Sequence, residues 1–481
     1  MRRLRNLRKE QKIKELKEKG LYEEPTPEKE IFIKRPFLTI PHLEVTNGST
    51  TGLPIKIMTY NILAQALIRR KLFPTSGDAL KWPVRSKALL EEFKYYNADI
   101  LCLQEVDYIQ FNSFWSKEFE KLGYNCKFYR ANTKNHGIAI IYRSNLFVCK
   151  HQSFINYDKD STSPEDPVQL PPPRTITQNV GLLAYLEFTQ PVLDKYPKLK
   201  EKNGLIVGTT HMFWHPFGTF ERTRQTFLIL YKFKQFVKTL NLILGNSKGF
   251  YSFFSGDLNS QPYDSPYLSI AAKPVKYDER AKIVNACSLS YEYTRNKVSI
   301  QQETTEDSAK GADEEVPEEA EDIEIEETEA ESIDKPQPLD PVPETFEATE
   351  DQMKLVQVLE DAHNSLDMRA ISMYSVGYKL VDPNNAGFDN DRNEPIFSNW
   401  AHTWRGLLDY IFVITTWDKE TEDLSANADS LQELEEKQGV RLLKLLKLPM
   451  PEDMGPEPSG QPRLNQFPSD HLCLMAEVEL R

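Results

Sequence analysis

The sequence predicts an α/β protein in which strands and helices form packed layers. Strand-like stretches alternate with amphipathic helical stretches from Ile55 onwards, and several strand-like stretches follow one another with no helix between them. Direct strand-to-strand steps are uncommon in a purely doubly wound sheet, so they favour layered sheets. The 481 residues, 40% of them hydrophobic, are enough to fill a large core.

The strands are predicted from short, mostly apolar runs rich in β-branched and aromatic residues. In chain order these runs are IKIMTYNIL, ADILCLQEVD, YNCKFYRA, GIAIIYR, GLLAYLEF, GLIVGTTHMFW, FYSFFSG, GLLDYIFVIT and HLCLMAEVEL. The helices are predicted from apolar residues spaced three and four apart. They are VRSKALLEEFKYYN after the first strand, FNSFWSKEFEKLGY after the second, and a long stretch at 223–244 before FYSFFSG.

One catalytic domain is predicted at residues 51–481, behind a charged tail and lead-in at residues 1–50. Residues 300–350 are acidic and of low complexity, so they bury too little apolar surface to fold and are predicted to be a disordered insertion. Residues 418–468 are charged and proline-rich and are predicted to be a surface insertion. The two late strands that flank it are too few to form a domain, so we assign them to the same core.

Charge is concentrated in two segments of the chain. Residues 303–331 carry fifteen acidic residues and one lysine, a net charge of −14 against −13 for the whole chain, so the remainder is close to neutral. The acidic balance therefore does not exclude a nucleic-acid partner. Residues 1–20 hold nine Arg and Lys and three Glu, which is typical of a solvated terminal helix or of a basic nucleic-acid or nuclear-import patch.

The cysteines indicate a reducing compartment. Five are present, an odd number, with no CxxC pair and no Cys/His metal spacing: Cys102, Cys126, Cys149, Cys287 and Cys473. No stretch is long and apolar enough to span a membrane, so no membrane partner is expected. The protein is predicted to be intracellular, in the cytoplasm, the nucleus or both.

Polar residues stand at the ends of many of the predicted strands. They are Asn61, Glu105, His211, the pair Asp257 and Asn259, Asp409, and the adjacent Asp470 and His471. Each alone is typical of a turn or a core histidine, but so many carboxylates at strand ends need partners. Carboxylates and amides without thiolates suit a hard cation such as Mg²⁺, which can stabilise a phosphoryl oxygen or a leaving oxyanion. The residues therefore predict metal-assisted phosphoester hydrolysis.

Six motifs, in their order along the chain, resemble those of the endonuclease/exonuclease/phosphatase superfamily. They are MTYNILAQAL, LCLQEVD, GTTHMFWHP, SGDLNSQP, GLLDYIF and SDHLCL. The chain looks like the deadenylase-related branch of that superfamily, and two further stretches, LAQALIRRKLFPTSGDALKWPVRSK and HNSLDMRAISMYSVGY, are similar to the yeast Ngl RNA exonucleases. The resemblance covers roughly residues 53–300 and 360–481. It implies a four-layer α/β sandwich of the DNase I type, two face-to-face mixed sheets flanked by helices.

The resemblance also implies a role for each strand-end residue. Glu105 would be the main ligand of Mg²⁺, for which Mn²⁺ could substitute, with Asn61 supporting the same site and Asp470 near the metal. Asp257 would orient or activate the attacking water. The remaining roles are phosphate contacts by Asn259 and His211, and a base or electrostatic stabiliser at His471 oriented by Asp409.

Substrate-binding residues follow from the same resemblance. Pro216 and Trp404 match the pair that sandwiches the 3′ base in the deadenylase branch, and Asn399 matches a base-contacting amide. Arg222 and Arg224 are candidates for phosphate contacts. The chain departs from the branch at His136, where an acid commonly precedes the fourth-strand glycine, and no catalytic role is assigned to it.

The predicted activity is Mg²⁺-dependent 3′-to-5′ exoribonuclease action on single-stranded RNA 3′ ends, in ribosomal RNA 3′-end processing or poly(A) trimming. One alternative is a phosphatase acting on a nucleotide or an inositol phospholipid, and another is an inactive RNA-binding scaffold. The acidic segment would be a solvating loop or an electrostatic gate that competes with RNA. A monomer without a leucine-rich-repeat docking module is expected.

Overall fold

The structure is a computed structural model, and it describes residues 30–41, 52–132, 134–290, 347–387, 391–420, 422–424, 429–455 and 460–481. Two sheets pack face to face within these residues. No helix of the described part is long and apolar enough to cross a bilayer.

The first sheet has seven strands in the order β1-β14-β15-β2-β3-β5-β4. Its strands are β1 (Phe37–Thr39), β2 (Leu53–Asn61), β3 (Ile100–Asp107), β4 (Tyr124–Tyr129), β5 (His136–Arg143), β14 (Val440–Leu446) and β15 (Leu474–Leu480). Only β2 and β3 pair in parallel; the other neighbours are antiparallel.

The second sheet has six strands in the order β10-β13-β9-β8-β7-β6. They are β6 (Phe147–Asn156), β7 (Val180–Phe188), β8 (Leu205–His211), β9 (Tyr251–Asp257), β10 (Met368–Ser372) and β13 (Asp409–Thr416). Its parallel pair is β8 and β9. A separate two-stranded hairpin joins β11 (Asn399–Ala401) to β12 (Trp404–Gly406).

Helices cover the outer faces of both sheets. They are α1 (Trp82–Tyr96), α2 (Ser116–Lys121), α3 (Gln190–Lys195), α4 (Thr219–Leu244), α5 (Ser265–Ala271), α6 (Glu279–Cys287), α7 (Glu350–Ser365), α8 (Met373–Val381) and α9 (Leu431–Gln438), with a π turn at Phe111–Trp115 before α2. The longest, α4, ends at Gly245, whose φ of +64° is a left-handed conformation that glycine adopts without strain.

Three apolar clusters separate the four layers. Between the sheets, Ile57 and Ile100 of the first sheet pack in one cluster with Val207 and Phe253 of the second. A second cluster joins α4 to the second sheet, and a third joins α1 to the first sheet. The predicted four-layer sandwich is confirmed, because each sheet buries one face against the other sheet and the opposite face against helices.

Two predicted boundaries are wrong. The lead-in at residues 1–50 contributes β1, which pairs with β14 at the edge of the first sheet. The predicted surface insertion at 418–468 contains α9 and β14, and β14 pairs with both β1 and β15. In β14 the half-buried Arg441, Leu443 and Lys444 interrupt the buried residues, and the pairing register shifts between Leu442 and Lys444. The charged residues and this irregularity hid the strand in the sequence.

Two other predicted segments fall largely outside the described residues. Residues 1–29, which include the basic stretch, and residues 291–346, which include the acidic stretch, are not among them. The described chain resumes at residue 347, and α7 begins at Glu350.

The strand directions bring the predicted site residues to one end of the molecule. The parallel strands β2 and β3 end near Asn61 and Glu105, and the parallel strands β8 and β9 end at His211 and Asp257. The antiparallel β13 begins at Asp409, directly opposite Asp257 in the register. The β15 strand begins just after the Asp470–His471 pair. Because Leu474 lies opposite Thr59 near the end of β2, this pair lies at the same end of the sheet as Asn61.

Candidate active site

Asn61 links the two sheets at the mouth of the cleft. Its Nδ2 donates to Glu105 Oε1 over 3.2 Å, within the first sheet, and to Asp257 Oδ2 over 3.0 Å, across to the second. The backbone N–H of Ala64 donates to the second oxygen, Glu105 Oε2, over 3.0 Å. Two carboxylates from different sheets are therefore held at one carboxamide.

Glu105 has a strained backbone. Its φ is +54°, which is uncommon for a residue with a Cβ, and it lies where the pairing of β3 with β5 shifts register between Leu103 and Val106. Such an irregularity re-aims a side chain at the end of a strand. The carboxylate remains 13% exposed, so it is open to the cleft.

Asp257 is a fully enclosed carboxylate at the end of β9. Its Oδ1 accepts the N–H of Asn259 over 2.8 Å, and Asn259, with φ of +48°, donates through Nδ2 to the carbonyl of Met212 over 3.0 Å. Burial, with a further contribution from Asp409, raises the pKa of Asp257 to about 7, although His471 opposes the shift. This carboxyl is thus able to exchange a proton near neutral pH.

His471 is held between two aspartates. Its Nδ1 lies 2.7 Å from Asp409 Oδ2, and its Nε2 lies 3.7 Å from Asp257 Oδ2. Burial opposes the charged imidazole, but Asp409 and then Asp257 outweigh it and raise the pKa of His471 well above its ordinary value. The hydroxyl of Ser398 donates to Asp409 Oδ2 over 2.7 Å, which fixes the carboxylate that orients the ring.

His211 faces the same carboxylates from the second sheet. Its Nε2 lies 3.6 Å from Asp257 Oδ2 and 3.9 Å from Glu105 Oε1. Burial, together with Lys134 and His471, lowers the pKa of His211 well below its ordinary value. The neutral ring can donate a hydrogen bond to an anionic ligand without carrying a charge itself. Asn179 supports the backbone of this residue by donating to its carbonyl over 2.8 Å.

The loop before β15 carries Asp470 beside the first sheet. Ser469 Oγ donates to the carbonyl of Asn61 over 2.7 Å, and the bridge between Asn399 and His471 pairs this loop with β11. Burial raises the pKa of Asp470, and the neighbouring Glu105 adds to the shift. The charge of Glu105 therefore acts on Asp470 from the neighbouring strand end.

Arg85 anchors the loops on this side of the site, and sequence reasoning missed it. Its guanidinium is buried and donates to the carbonyls of Ile62 and Leu63 after β2 and, over 2.8 Å, to the carbonyl of Pro468 before Asp470. The available signal was an arginine on the buried side of the helical stretch VRSKALLEE. Ser398, Ser469 and Asn179 were also missed. Ser469 stands in the motif SDHLCL, whereas nothing in the local sequence of Ser398 or Asn179 distinguishes them.

The predicted base-binding residues, called the rim residues below, lie on β11, on β12 and in the loop after β8. Trp404 is 47% exposed on β12, and Pro216 is exposed in the loop after β8. Asn399 is buried on β11, opposite the backbone of His471. The hairpin thus places an exposed indole on an element that is paired with the loop of His471.

The prediction that Arg222 and Arg224 contact phosphate is wrong. Arg222 is buried and donates to the carbonyls of Phe213 and His215 and to Ser260 Oγ. Arg224 is buried and donates to the carbonyls of Tyr157, Asp160 and Pro171. Both guanidinium groups hold loops in place. The sequence at the start of the helix gave no sign that these two arginine side chains are buried.

The model of the Endonuclease/Exonuclease/phosphatase family matches residues 58–471 of this chain. The chain belongs to this family. Among curated proteins, RNA exonuclease NGL2 of Saccharomyces cerevisiae is 48% identical over 94% of this chain and 82% of its own length. Probable RNA exonuclease NGL3 of the same yeast is 36% identical over 95% of this chain and 84% of its own length. The predicted family membership is confirmed.

A solved structure agrees with the layer architecture. The crystal structure of ANGEL2, a 2′,3′-cyclic phosphatase, superposes with a TM-score of 0.51 at 18% identity and covers 93% of this chain and 98% of that chain. At this identity the likeness concerns the fold alone.

The donor set of this family member fits a divalent cation. Glu105 and Asp470 offer hard carboxylate oxygen atoms at the end of the first sheet, which Mg²⁺ prefers. Asn61 would offer its oxygen only with its carboxamide turned over, because its Nδ2 now faces Glu105 and its Oδ1 accepts the N–H of Leu63. The ligand atoms of Asp257, Asp409 and His471 also lie within 4.8 Å of one another. In that group, however, the contact of 2.7 Å between Nδ1 and Oδ2 is a hydrogen bond, so this group is better suited to holding a proton than a metal.

Proposed function

We propose that the protein is a Mg²⁺-dependent 3′-to-5′ exoribonuclease that acts on single-stranded RNA, in ribosomal RNA 3′-end processing or poly(A) trimming. The observation that carries the proposal is the convergence of Asn61, Glu105, His211, Asp257 and His471 on one cleft. The 48% identity to an RNA exonuclease over most of the chain supports RNA as the substrate.

Each group has a task that its environment suits. Glu105, Asn61 and Asp470 would hold the cation, which when bound neutralises charge that develops on phosphoryl oxygens. Asp257 orients the attacking water and accepts its proton, because its pKa of about 7 matches a base working near neutrality. His471 remains charged beside Asp409 and stabilises the phosphoryl oxygens, which assigns it the role of electrostatic stabiliser.

The rim residues would bind the 3′-terminal nucleotide. Exposed aromatic rings bind single-stranded RNA by stacking on any base, and each stacked base contributes about 1–3 kcal/mol. Trp404 offers such a ring on β12, Pro216 offers an exposed apolar surface in the loop after β8, and Asn399 offers an amide. An inositol ring has no face to stack in this way, so the rim favours a nucleic acid.

The direction and substrate are tested with labelled oligonucleotides. A single-stranded RNA carrying a 5′ label should be shortened stepwise in Mg²⁺, and the same RNA with a blocked 3′ end should stay intact. Parallel reactions contain an inositol phospholipid and a nucleotide with a terminal phosphate. Hydrolysis of either one, with both RNAs left intact, would refute the proposal.

A further inference from the structure

A layer of buried polar side chains lies directly beneath the catalytic groups. In β2 and β8, the side chains that point toward the other sheet are apolar along most of the strand. The next-to-last of them is a threonine, and the last is a candidate catalytic residue. Because side chains two apart on a strand point to the same side, Thr59 lies beneath Asn61, and Thr209 lies beneath His211. Gln104, which directly precedes Glu105, joins this layer, and all three are almost fully buried.

Gln104 connects the two sheets within this layer. Its Nε2 lies 3.2 Å from Thr59 Oγ1, in the neighbouring strand of its own sheet, and 3.0 Å from Thr209 Oγ1, in the opposite sheet. The same nitrogen lies 3.0 Å from the carbonyl of Cys102, so its two N–H groups are used by Thr209 and Cys102. Thr59 Oγ1 can donate to Gln104 Oε1 over 3.4 Å. The side chain is 0% exposed, so its hydrogen bonds are formed where no water competes for them.

The inter-sheet core gives a reason for such a connection. Apolar packing between the sheets is not directional, so it sets their separation without fixing how one slides on the other. The cleft, however, draws Asn61 and Glu105 from the first sheet and His211 and Asp257 from the second. A directional bond one layer below the cleft removes that freedom where a small displacement affects activity most.

We propose that Gln104 is a positioning residue whose hydrogen bond to Thr209 fixes the register of the two sheets beneath the active site. This role goes beyond the assignment of the groups that contact substrate. The tests that measure RNA cleavage rest on the proposed function.

The test compares two buried threonines that bond to the same glutamine. Thr209→Val removes the bond that crosses between the sheets, and Thr59→Val removes a bond within one sheet. Thr209→Val should lower kcat on single-stranded RNA roughly 10- to 100-fold and leave KM unchanged. A loss of this size is usual when a side chain that orients a functional group loses its hydrogen bond. Thr59→Val should keep most of its kcat, and Thr209→Ser, which keeps the hydroxyl, should restore activity.

A double substitution tests the pairing directly. Gln104→Met keeps the shape of the side chain without its amide, so adding Thr209→Val to it should lower kcat no further. Equal losses of kcat in Thr209→Val and Thr59→Val, or losses that multiply in the double variant, would overturn the inference. So would a loss of kcat that follows only the fraction of protein still folded, measured by thermal unfolding.

A second substrate separates this inference from the proposed function. All variants are also assayed with bis(4-nitrophenyl) phosphate, a small phosphodiester with no base or ribose. Cleavage of this diester without cleavage of RNA would refute the proposed exoribonuclease activity, and the variant comparison would still decide the role of Gln104.

Discussion

At the scale of single residues, the cleft combines groups whose environments give them different proton affinities. Asp257 is buried next to Asp409, which raises its pKa to about 7, whereas His211 is buried near Lys134, and its pKa is lowered well below its ordinary value. Such divergence among neighbouring titratable groups is typical of active sites. It follows that changing one charge should affect turnover far more than folding.

Replacing Glu105 by glutamine should abolish most of the activity. The amide keeps the shape and can still accept from Ala64, but it offers the cation no negative charge. We expect kcat to fall roughly 10²- to 10³-fold, the usual cost of losing one preorganised electrostatic group, measured on RNA over a range of Mg²⁺ concentrations. RNA binding in the absence of metal should be retained, and wild-type turnover by this variant would contradict the metal assignment.

Asp409→Asn should show that the carboxylate on Nδ1 of His471 is essential. The neutral amide no longer stabilises the imidazolium, and we expect kcat to fall by about 10³- to 10⁴-fold, as in triads that lose the orienting aspartate. Ser398→Ala is the graded control, because it keeps the carboxylate of Asp409 on Nδ1 of His471 and should cost less. It removes one donor to Asp409 Oδ2 and the acceptor of the N–H groups of Leu408 and Asp409. If both variants have the same kcat, the orienting role of Asp409 is wrong.

Trp404 should act on substrate binding through its ring. Trp404→Ala should raise KM for oligo(A) by roughly 5- to 150-fold, which corresponds to about 1–3 kcal/mol of lost stacking. Trp404→Phe keeps an aromatic face and should be close to wild type. A loss of kcat at unchanged KM in the alanine variant would show that the indole serves some other purpose.

At the scale of elements, the strands of the sandwich bring the candidate site residues to one end, and buried side chains hold the loops between these strands in place. Arg85 and Arg222 each hold backbone carbonyls beside the cleft. Strand β14 shows how an element can be hidden in a charged segment, because its buried Leu442 and Leu445 lie in the inter-sheet core. The contribution of β14 to the free energy of unfolding can be measured separately from the activity.

Leu442→Ala should destabilise the protein by about 2–5 kcal/mol, because truncating a fully buried leucine leaves a cavity between the sheets. The neighbouring Leu443, which is only half-buried, is the matched control, and Leu443→Ala should cost clearly less. Chemical denaturation of both variants decides the matter. Equal and small effects would mean that the 418–468 segment adds little to the core.

At the scale of the whole molecule, stability depends on pH through a buried carboxyl that has no assigned role in the candidate site. Burial raises the pKa of Glu221 to about 7, although the N–H of Arg174 donates to its Oε1 over 2.8 Å. In the unfolded chain this carboxyl has an ordinary pKa near 4.5. The folded state therefore holds the proton more tightly, so stability falls as the pH rises from about 4.5 through 7.

Glu221→Gln should remove this part of the pH dependence. The difference in unfolding free energy between wild type and variant should change by on the order of 3 kcal/mol between pH 4.5 and 8, with wild type relatively weaker at pH 8. Glu120→Gln, at an exposed position, controls for the loss of one negative charge. A constant difference between wild type and Glu221→Gln across this range would show that Glu221 does not titrate there.

By itself, the sequence determined the layered α/β class, the strand-end positions of the site residues and the family. Those features are carried by local periodicity and by short motifs, which need no knowledge of distant contacts. The tertiary structure alone decided which charged residues face the cleft. The side chains of Arg222 and Arg224 are buried in the protein, whereas the irregularity in β3 directs Glu105 toward the cleft. It alone showed β14 and the bond from Gln104 to Thr209, because pairing between residues far apart in the chain leaves no local pattern.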